Sequence, residues 1–185
     1  GRLFSNSENI RTYGRDLLNP DFANWRQLVE QMWLTVQIAL WGTFFAVILA
    51  IPLGLLGASN IAPFWIRRPV RWVMDGQRAI NELVVAAVFV AAVGLGPFAG
   101  VLALAFHTAG VLGKLFSEAV ETADAKAGEG VSASGGTALH RIRFGLIPGV
   151  LPVLASQVLY FFESNTRSAT IIGIVGAGGI GQYLT

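Results

Sequence analysis

From about residue 30 onward the chain alternates between long apolar runs and short polar breaks. Met32 to Leu56 contains no charged residue. A helix of about 25 residues is long enough to cross a hydrocarbon core of about 30 Å. Pro52 and Gly54 sit near its end, where a membrane helix tolerates them. The pattern predicts a first helix over about 32–57 and a second over about 69–93. The second has Pro69 in its first turn, and Asp75, Arg78 and Glu82 are spaced to pair along one face. Gly94-Leu95-Gly96-Pro97 reads as a turn. Further apolar runs predict helices over about 97–117 and 149–174, separated by a polar, glycine-marked island over about 118–148. Residues 1–31 are different: polar, mixed in charge, with a turn signal at Asn19-Pro20-Asp21. Asp21 to Gln31 is expected to lie as an amphipathic helix at a membrane surface, with Trp25 and Trp33 suited to the interface. Two parts follow: an extracytoplasmic or interfacial segment, 1–31, and a transmembrane domain, 32–185.

Composition sharpens this into an all-α membrane protein, a polytopic helical bundle. Hydrophobic residues make up 54% and charged residues 13%, against about 25% charged in ordinary soluble domains. A net charge of +2 without a dense Lys/Arg run gives no reason to expect nucleic acid as a partner. The lack of cysteine excludes disulfides, thiolate-held metals and thiol catalysis. His107 and His140 fall in different segments and give no metal-ligand spacing. His107 is expected to be a neutral histidine bonded to a neighbouring helix, in preference to a proton relay. Gly176, Gly178 and Gly181 match G-x-G-x-x-G, but a membrane helix precedes them and no acid follows at the required distance. Their expected role is a tight turn with close backbone packing. No phosphate-binding loop of the G-x-x-x-x-G-K type and no Ser/His/Asp set with supporting context is present, so neither an enzyme nor a cofactor is expected.

Basic residues orient the bundle. With the island in the cytoplasm, the link carrying Arg67, Arg68 and Arg71 is cytoplasmic too, and the uncharged turn at 94–97 lies outside. Arg2, Arg11, Arg15 and Arg26 run against that rule, though acids accompany them. Gly96 with Gly100, and Gly145 with Gly149, have the spacing that lets helices approach closely in lipid. In the fourth run Ser156, Tyr160, Glu163, Arg167 and Thr170 form a polar stripe on one face, with Asn165 on another. A charge at that depth costs about 2.5–3.5 kcal/mol unless it faces a bundle interior or a water-filled path. Glu163 and Arg167, four apart, fit either a structural ion pair or a substrate path.

Inside the island, Glu129 is followed by Gly135 six positions on and then by Ile147-Pro148. That spacing resembles the EAA loop of the membrane subunits of ABC importers, with Gly130 and Val131 in place of its two alanines. The resemblance implies that Glu129, Gly130, Val131, Ser134, Gly135, Gly136 and Pro148 belong to a cytoplasmic coupling element seated in a groove of the ATPase. Gly135-Gly136 would end its short helix and Thr137 cap the next. Further stretches extend the likeness over about residues 30–185: Arg78 to Glu82, Val93 to Val101, His107 with Lys114 to Val120, and Arg167 to Thr170 leading into Gly176 to Gly181. Together they look like the permease subunit of phosphonate ABC importers, in the binding-protein-dependent permease family. The resemblance implies the type I importer permease fold with its C-terminal helix missing from this chain, which reads as a segment of a longer protein. It also implies a multi-pass subunit of the cytoplasmic (inner) membrane that moves phosphonate, phosphate or phosphite by alternating access. The implied partners are a second copy, cytoplasmic ATPase subunits and an extracytoplasmic phosphonate-binding protein. Tyr160, Glu163, Asn165, Arg167, Ser168 and Thr170 are the candidate path residues, of which Arg167, Asn165, Ser168 and Thr170 can offer hydrogen bonds to an anion. Two rival readings remain: a secondary transporter or anion channel, uncoupled from ATP, with His107 or Glu163 as its proton-linked group, and a purely structural membrane subunit, for which changes on the polar stripe would leave transport intact.

Overall fold

The charge-free run folds into α1, Trp25–Gly57, in a computed structural model that describes residues 24–123 and 125–183. The chain divides into two units, Gly1–Glu30 and Gln31–Thr185. In the first, the described residues 24–30 hold the opening turns of α1, which therefore begins before the expected Met32. Residues 1–23, including the turn expected at Asn19–Asp21, lie outside the described residues. Thr35 and Thr43 donate to the carbonyls of Gln31 and Ala39, at 2.8 and 2.7 Å, which satisfies hydroxyl donors inside an apolar helix. Gly42, Ala46, Ala50 and Gly54 form a buried stripe of small residues along α1. A Cβ on Gly42 would sit 2.8 Å from that of Leu104, and one on Gly54 2.7 Å from that of Phe116, so the two backbones meet at a separation that excludes larger side chains.

The second predicted helix is in fact two, α2 (Phe64–Ala79) and α3 (Glu82–Val93), bent by 92° at the break. Ile80 and Asn81 are extended there, and the Asn81 side chain accepts from the Leu83 N–H at 2.9 Å as the N-cap of α3. The break overturns the expected pairing of Asp75, Arg78 and Glu82 along one face. Asp75 instead lies 4.0 Å from Lys114, and Glu82 accepts from Ser168. Helix α2 also starts earlier than expected, directly after Pro63, leaving Pro69 inside it.

Pro97, in the first turn, opens α4, Pro97–Glu121, the central helix. It packs on α1 through Leu104 and Phe116, and on α2 through Gly110 and Gly113, which meet Gln77 and Met74. Next come α5 (Ala125–Ala133), α6 (Ala138–His140), a π-helical segment (Arg141–Leu146) and α7 (Ile147–Gly173). The π segment ends just before Pro148, whose missing N–H removes the α-type bond to the Phe144 carbonyl. Ile38, Ala86, Leu104, Ala169 and Ile172 form the main core, joining α1, α3, α4 and α7. A tight loop then leads to α8, Ile180–Tyr183. Every regular element among the described residues is helical, as expected. By length and composition α1, α4 and the continuous stretch Ala138–Gly173 can each cross a membrane, and the bent pair α2–α3 adds a fourth span if counted as one.

Candidate functional site

The EAA-like island forms a helical hairpin at the end of the bundle where α1 and α4 finish. Helix α5 stops at Ala133 because Gly135 takes a left-handed conformation, φ +82°, and the Gly135 and Gly136 N–H groups donate back to Ser132 and Val131. A Cβ on Gly135 would meet nothing within 4 Å. What glycine supplies there is therefore the turn, and the space around it is open. A Cβ on Gly136 would lie 2.7 Å from Val131, which closes the hairpin. Glu129, Gly130, Ser134 and Pro148 are exposed and Val131 is half-buried; the Ser134 hydroxyl donates to the Gly130 carbonyl at 3.0 Å. On its inner side α5 rests on the π segment. A Cβ on Gly145 would be 2.8 Å from Gly128 Cα, and one on Gly128 3.0 Å from the Arg141 side chain.

A polar clamp lies beneath the hairpin. Glu121, the last residue of α4, accepts from the Ser59 N–H and from the Arg71 guanidinium. Arg71 also donates to the Gly57 carbonyl at 2.9 Å, and Asn60 to that of Val120 at 2.8 Å. The end of α1, the loop that follows it, the middle of α2 and the end of α4 are thus tied together. Between this clamp and the hairpin is a cavity of about 240 Å³, lined by Asn60, Glu121, Gly128, Glu129 and Arg141 among others. Charge alone did not single out the Arg71–Glu121 pair in the sequence, because its members are 50 residues apart.

The six candidate path residues on α7 divide between two faces. Tyr160, Glu163 and Arg167 point away from the core, and Glu163 and Arg167 form an ion pair with side chains 64% and 71% exposed. Thr170 is half-buried and donates to the Thr166 carbonyl. Asn165 and Ser168 point inward. Asn165 is 4% exposed; its amide donates to the Thr43 hydroxyl at 2.9 Å and its carbonyl accepts from Thr108 at 3.0 Å. Ser168 donates to Glu82 at 2.8 Å. These inward groups join α7 to α1, α4 and α3. The partners Thr43 and Thr108 were missed, with threonines within apolar helices as the available signal, whereas Glu82 was singled out but with a different partner.

Two further expectations can be compared with the structure. The glycine loop is a close-packed turn: Gly176, Gly178 and Gly179 have positive φ and are buried. A Cβ on Gly178 would be 2.9 Å from Pro97 N. Gly96 N–H donates to the Gly176 carbonyl, and Ile180 N–H to the Thr35 hydroxyl, both at 2.9 Å. His107 differs from the expected bonded histidine, since its Nδ1 is buried without a hydrogen-bond partner.

Known proteins share both the sequence and the fold. A family model described as "Binding-protein-dependent transport system inner membrane component" matches residues 50–185. HtxC of Stutzerimonas stutzeri, named as a candidate phosphite transport system permease protein, is 44% identical over 166 residues, covering 89% of this chain and 59% of that protein. PhnE1 of Escherichia coli (strain K12), named as a candidate cryptic phosphonate transport system permease protein, is 52% identical over 101 residues, 55% of this chain and 49% of its own length. The chain thus spans about half to three-fifths of these curated relatives. In fold it matches the inward-facing MetNI methionine ABC transporter, with a TM-score of 0.75 at 22% identity over 84% of this chain and 77% of that one.

Proposed function

The chain belongs to the family of binding-protein-dependent transport system inner membrane components, and on that premise we propose that it is the membrane-spanning part of an ATP-driven importer of phosphonate or a related phosphorus oxyanion, phosphite or phosphate. It is a multi-pass protein of the cytoplasmic membrane and a transport subunit, not an enzyme in its own right. The names of HtxC and PhnE1 support the substrate class. The observation that carries the coupling role is the hairpin. It is the polar, outward-facing element of an apolar bundle, held by the Gly128–Gly145 contact and stopped at Gly135.

In this reading the exposed side of α5, with Glu129, Gly130 and Ser134, seats in a groove of a separate ATPase subunit. ATP closes the ATPase dimer, two hairpins approach each other, and the membrane path opens outward toward an extracytoplasmic binding protein. Hydrolysis resets it. The second copy covers the outward face of α7, which turns Tyr160, Glu163 and Arg167 into the walls of a path. A planar guanidinium suits the oxygens of a phosphonate. Asn165 and Ser168 are hydrogen-bonded within the chain and contribute to the path by holding α7 in place. Thr170 sits between the two groups.

The test uses the full-length protein with its ATPase subunit and binding protein in proteoliposomes. Ala133→Cys should cross-link to the ATPase subunit, and uptake of phosphonate or phosphite should require ATP. Uptake that continues without the ATPase subunit would refute the coupling role and favour a secondary carrier.

A further inference from the structure

Helix α2 has an outer face that the fold leaves uncovered. Its inner face is fixed, because Met74 and Gln77 pack onto Gly113 and Gly110 of α4, and Arg71 turns in to the Glu121 clamp. The opposite side therefore cannot rotate into the core. There Trp65 is 85% and Trp72 69% exposed, with Phe64 beside them. Arg68 lies between two rings, its Cζ 5.0 Å from the Phe64 centroid and 5.7 Å from that of Trp72. The Arg67 Cζ lies 5.8 Å from the Phe64 ring. No acid precedes Asp75 in the helix, and Arg68 forms no ion pair among the described residues, whereas Arg67, half-buried on the Arg71 side, feels the charge of Glu121.

We propose that this face of α2 binds the headgroups of anionic phospholipids. The Arg71–Glu121 clamp sets the depth. Glu121 is the last residue of an apolar helix, and Arg67 and Arg68 lie one turn farther toward the same end, at the level where hydrocarbon gives way to headgroups. Tryptophan suits that layer because it has an apolar body and a polar edge. Arginine presents a planar fork to phosphate oxygens. Stacking against Phe64 and Trp72 holds the Arg68 guanidinium in place before any lipid arrives. The charge is complementary: the exposed, unpaired Arg68 cation, with the half-buried Arg67 behind it, faces a surface that is negative in an anionic leaflet. This contact would hold α2 while α3, across the 92° break, stays packed in the core.

The experiment places the full-length protein in nanodiscs with brominated-chain phosphatidylglycerol or brominated-chain phosphatidylcholine at equal mole fraction and reads quenching of tryptophan fluorescence. Subtracting the signal of Trp65→Phe/Trp72→Phe isolates α2. Two arginines at an anionic surface lead us to expect a preference for phosphatidylglycerol of about tenfold or more. Arg67→Gln/Arg68→Gln should abolish the preference, and Arg67→Lys/Arg68→Lys should keep most of it, which also shows that a loss is not misfolding. Arg143→Gln, a change at a different exposed arginine, should leave it intact, and free inorganic phosphate should not compete. Equal quenching by the two lipids, or a preference that survives the double Gln change, would overturn the proposal. So would loss of quenching when the ATPase subunit is added, which would assign this face to a protein partner.

Discussion

Replacing Asn165 separates an internal fastener from a path residue. Asn165→Leu keeps the volume of the side chain and removes two hydrogen bonds, one from the amide to Thr43 and one to the carbonyl from Thr108. Hydrogen bonds between membrane helices average about 0.6 kcal/mol and reach about 1.7 kcal/mol, so the pair is worth about 1–3 kcal/mol. The lower part of that range is expected. The Thr43 hydroxyl already donates to Ala39 and loses one donor partner. The Thr108 hydroxyl can turn to a carbonyl in the preceding turn of α4. We therefore expect a loss of about 1–2 kcal/mol, read by reversible unfolding in bicelles with increasing sodium dodecyl sulfate. Cycles combining Asn165→Leu with Thr43→Val or with Thr108→Val should each show a coupling of about 0.6 kcal/mol. Protein that does assemble should transport at nearly the normal rate. Unchanged unfolding together with lost uptake would refute the reasoning and place Asn165 on the path.

Gly181→Ala would drive a Cβ into the Thr170 carbonyl oxygen and against Gly173, where backbone cannot yield; we expect a loss of about 3 kcal/mol in the same unfolding assay. Gly149→Ala meets nothing within 4 Å and sits in α7, so it should be neutral or stabilise by up to about 1 kcal/mol. Exchanging the exposed pair, Glu163→Arg with Arg167→Glu, should change stability by less than about 0.5 kcal/mol yet abolish oxyanion uptake in proteoliposomes. Full uptake by the exchanged protein would remove Arg167 from the path.

The sequence made visible those features that depend on one segment at a time. A run without charge had to be a helix in lipid, Gly135-Gly136 had to end one, and Pro97 opened another. The α2–α3 break was missed because it contains neither proline nor glycine. Asn81 before Glu82 was its local sign, and it was outweighed by the apolar run that follows. Close approach was read only in part. Of the glycines paired by spacing, Gly100 and Gly145 do make tight contacts, with Ile38 and the Ala177 carbonyl and with Gly128, while Gly149 meets nothing and Gly96 serves a turn; the stripe Gly42, Ala46, Ala50 and Gly54 of α1, small residues four apart, was passed over. Which glycines touch depends on where two helices cross, and one strand of sequence does not contain that information. On α7 the period grouped Tyr160, Glu163 and Arg167 correctly and set Asn165 apart. It could not say which group faced inward.

That inversion bears on mechanism. A buried polar group is costly unless it is bonded, and within the bundle Asn165, Thr43, Thr108, Ser168 and Glu82 bond to one another across four helices. They are engaged in holding the bundle together, so an anion passing among them would have to break those bonds first. Glu163 and Arg167 are in the opposite position. They pair on an open face and the packing of this chain does not need them. In lipid such a face is expensive to leave bare, so a second copy turned toward it would both relieve that cost and supply a polar path between two rigid bodies. On the proposed function the chain's interior would provide stiffness and its uncovered face passage. Changes to the first set should alter unfolding before they alter uptake, and changes to the second should do the reverse.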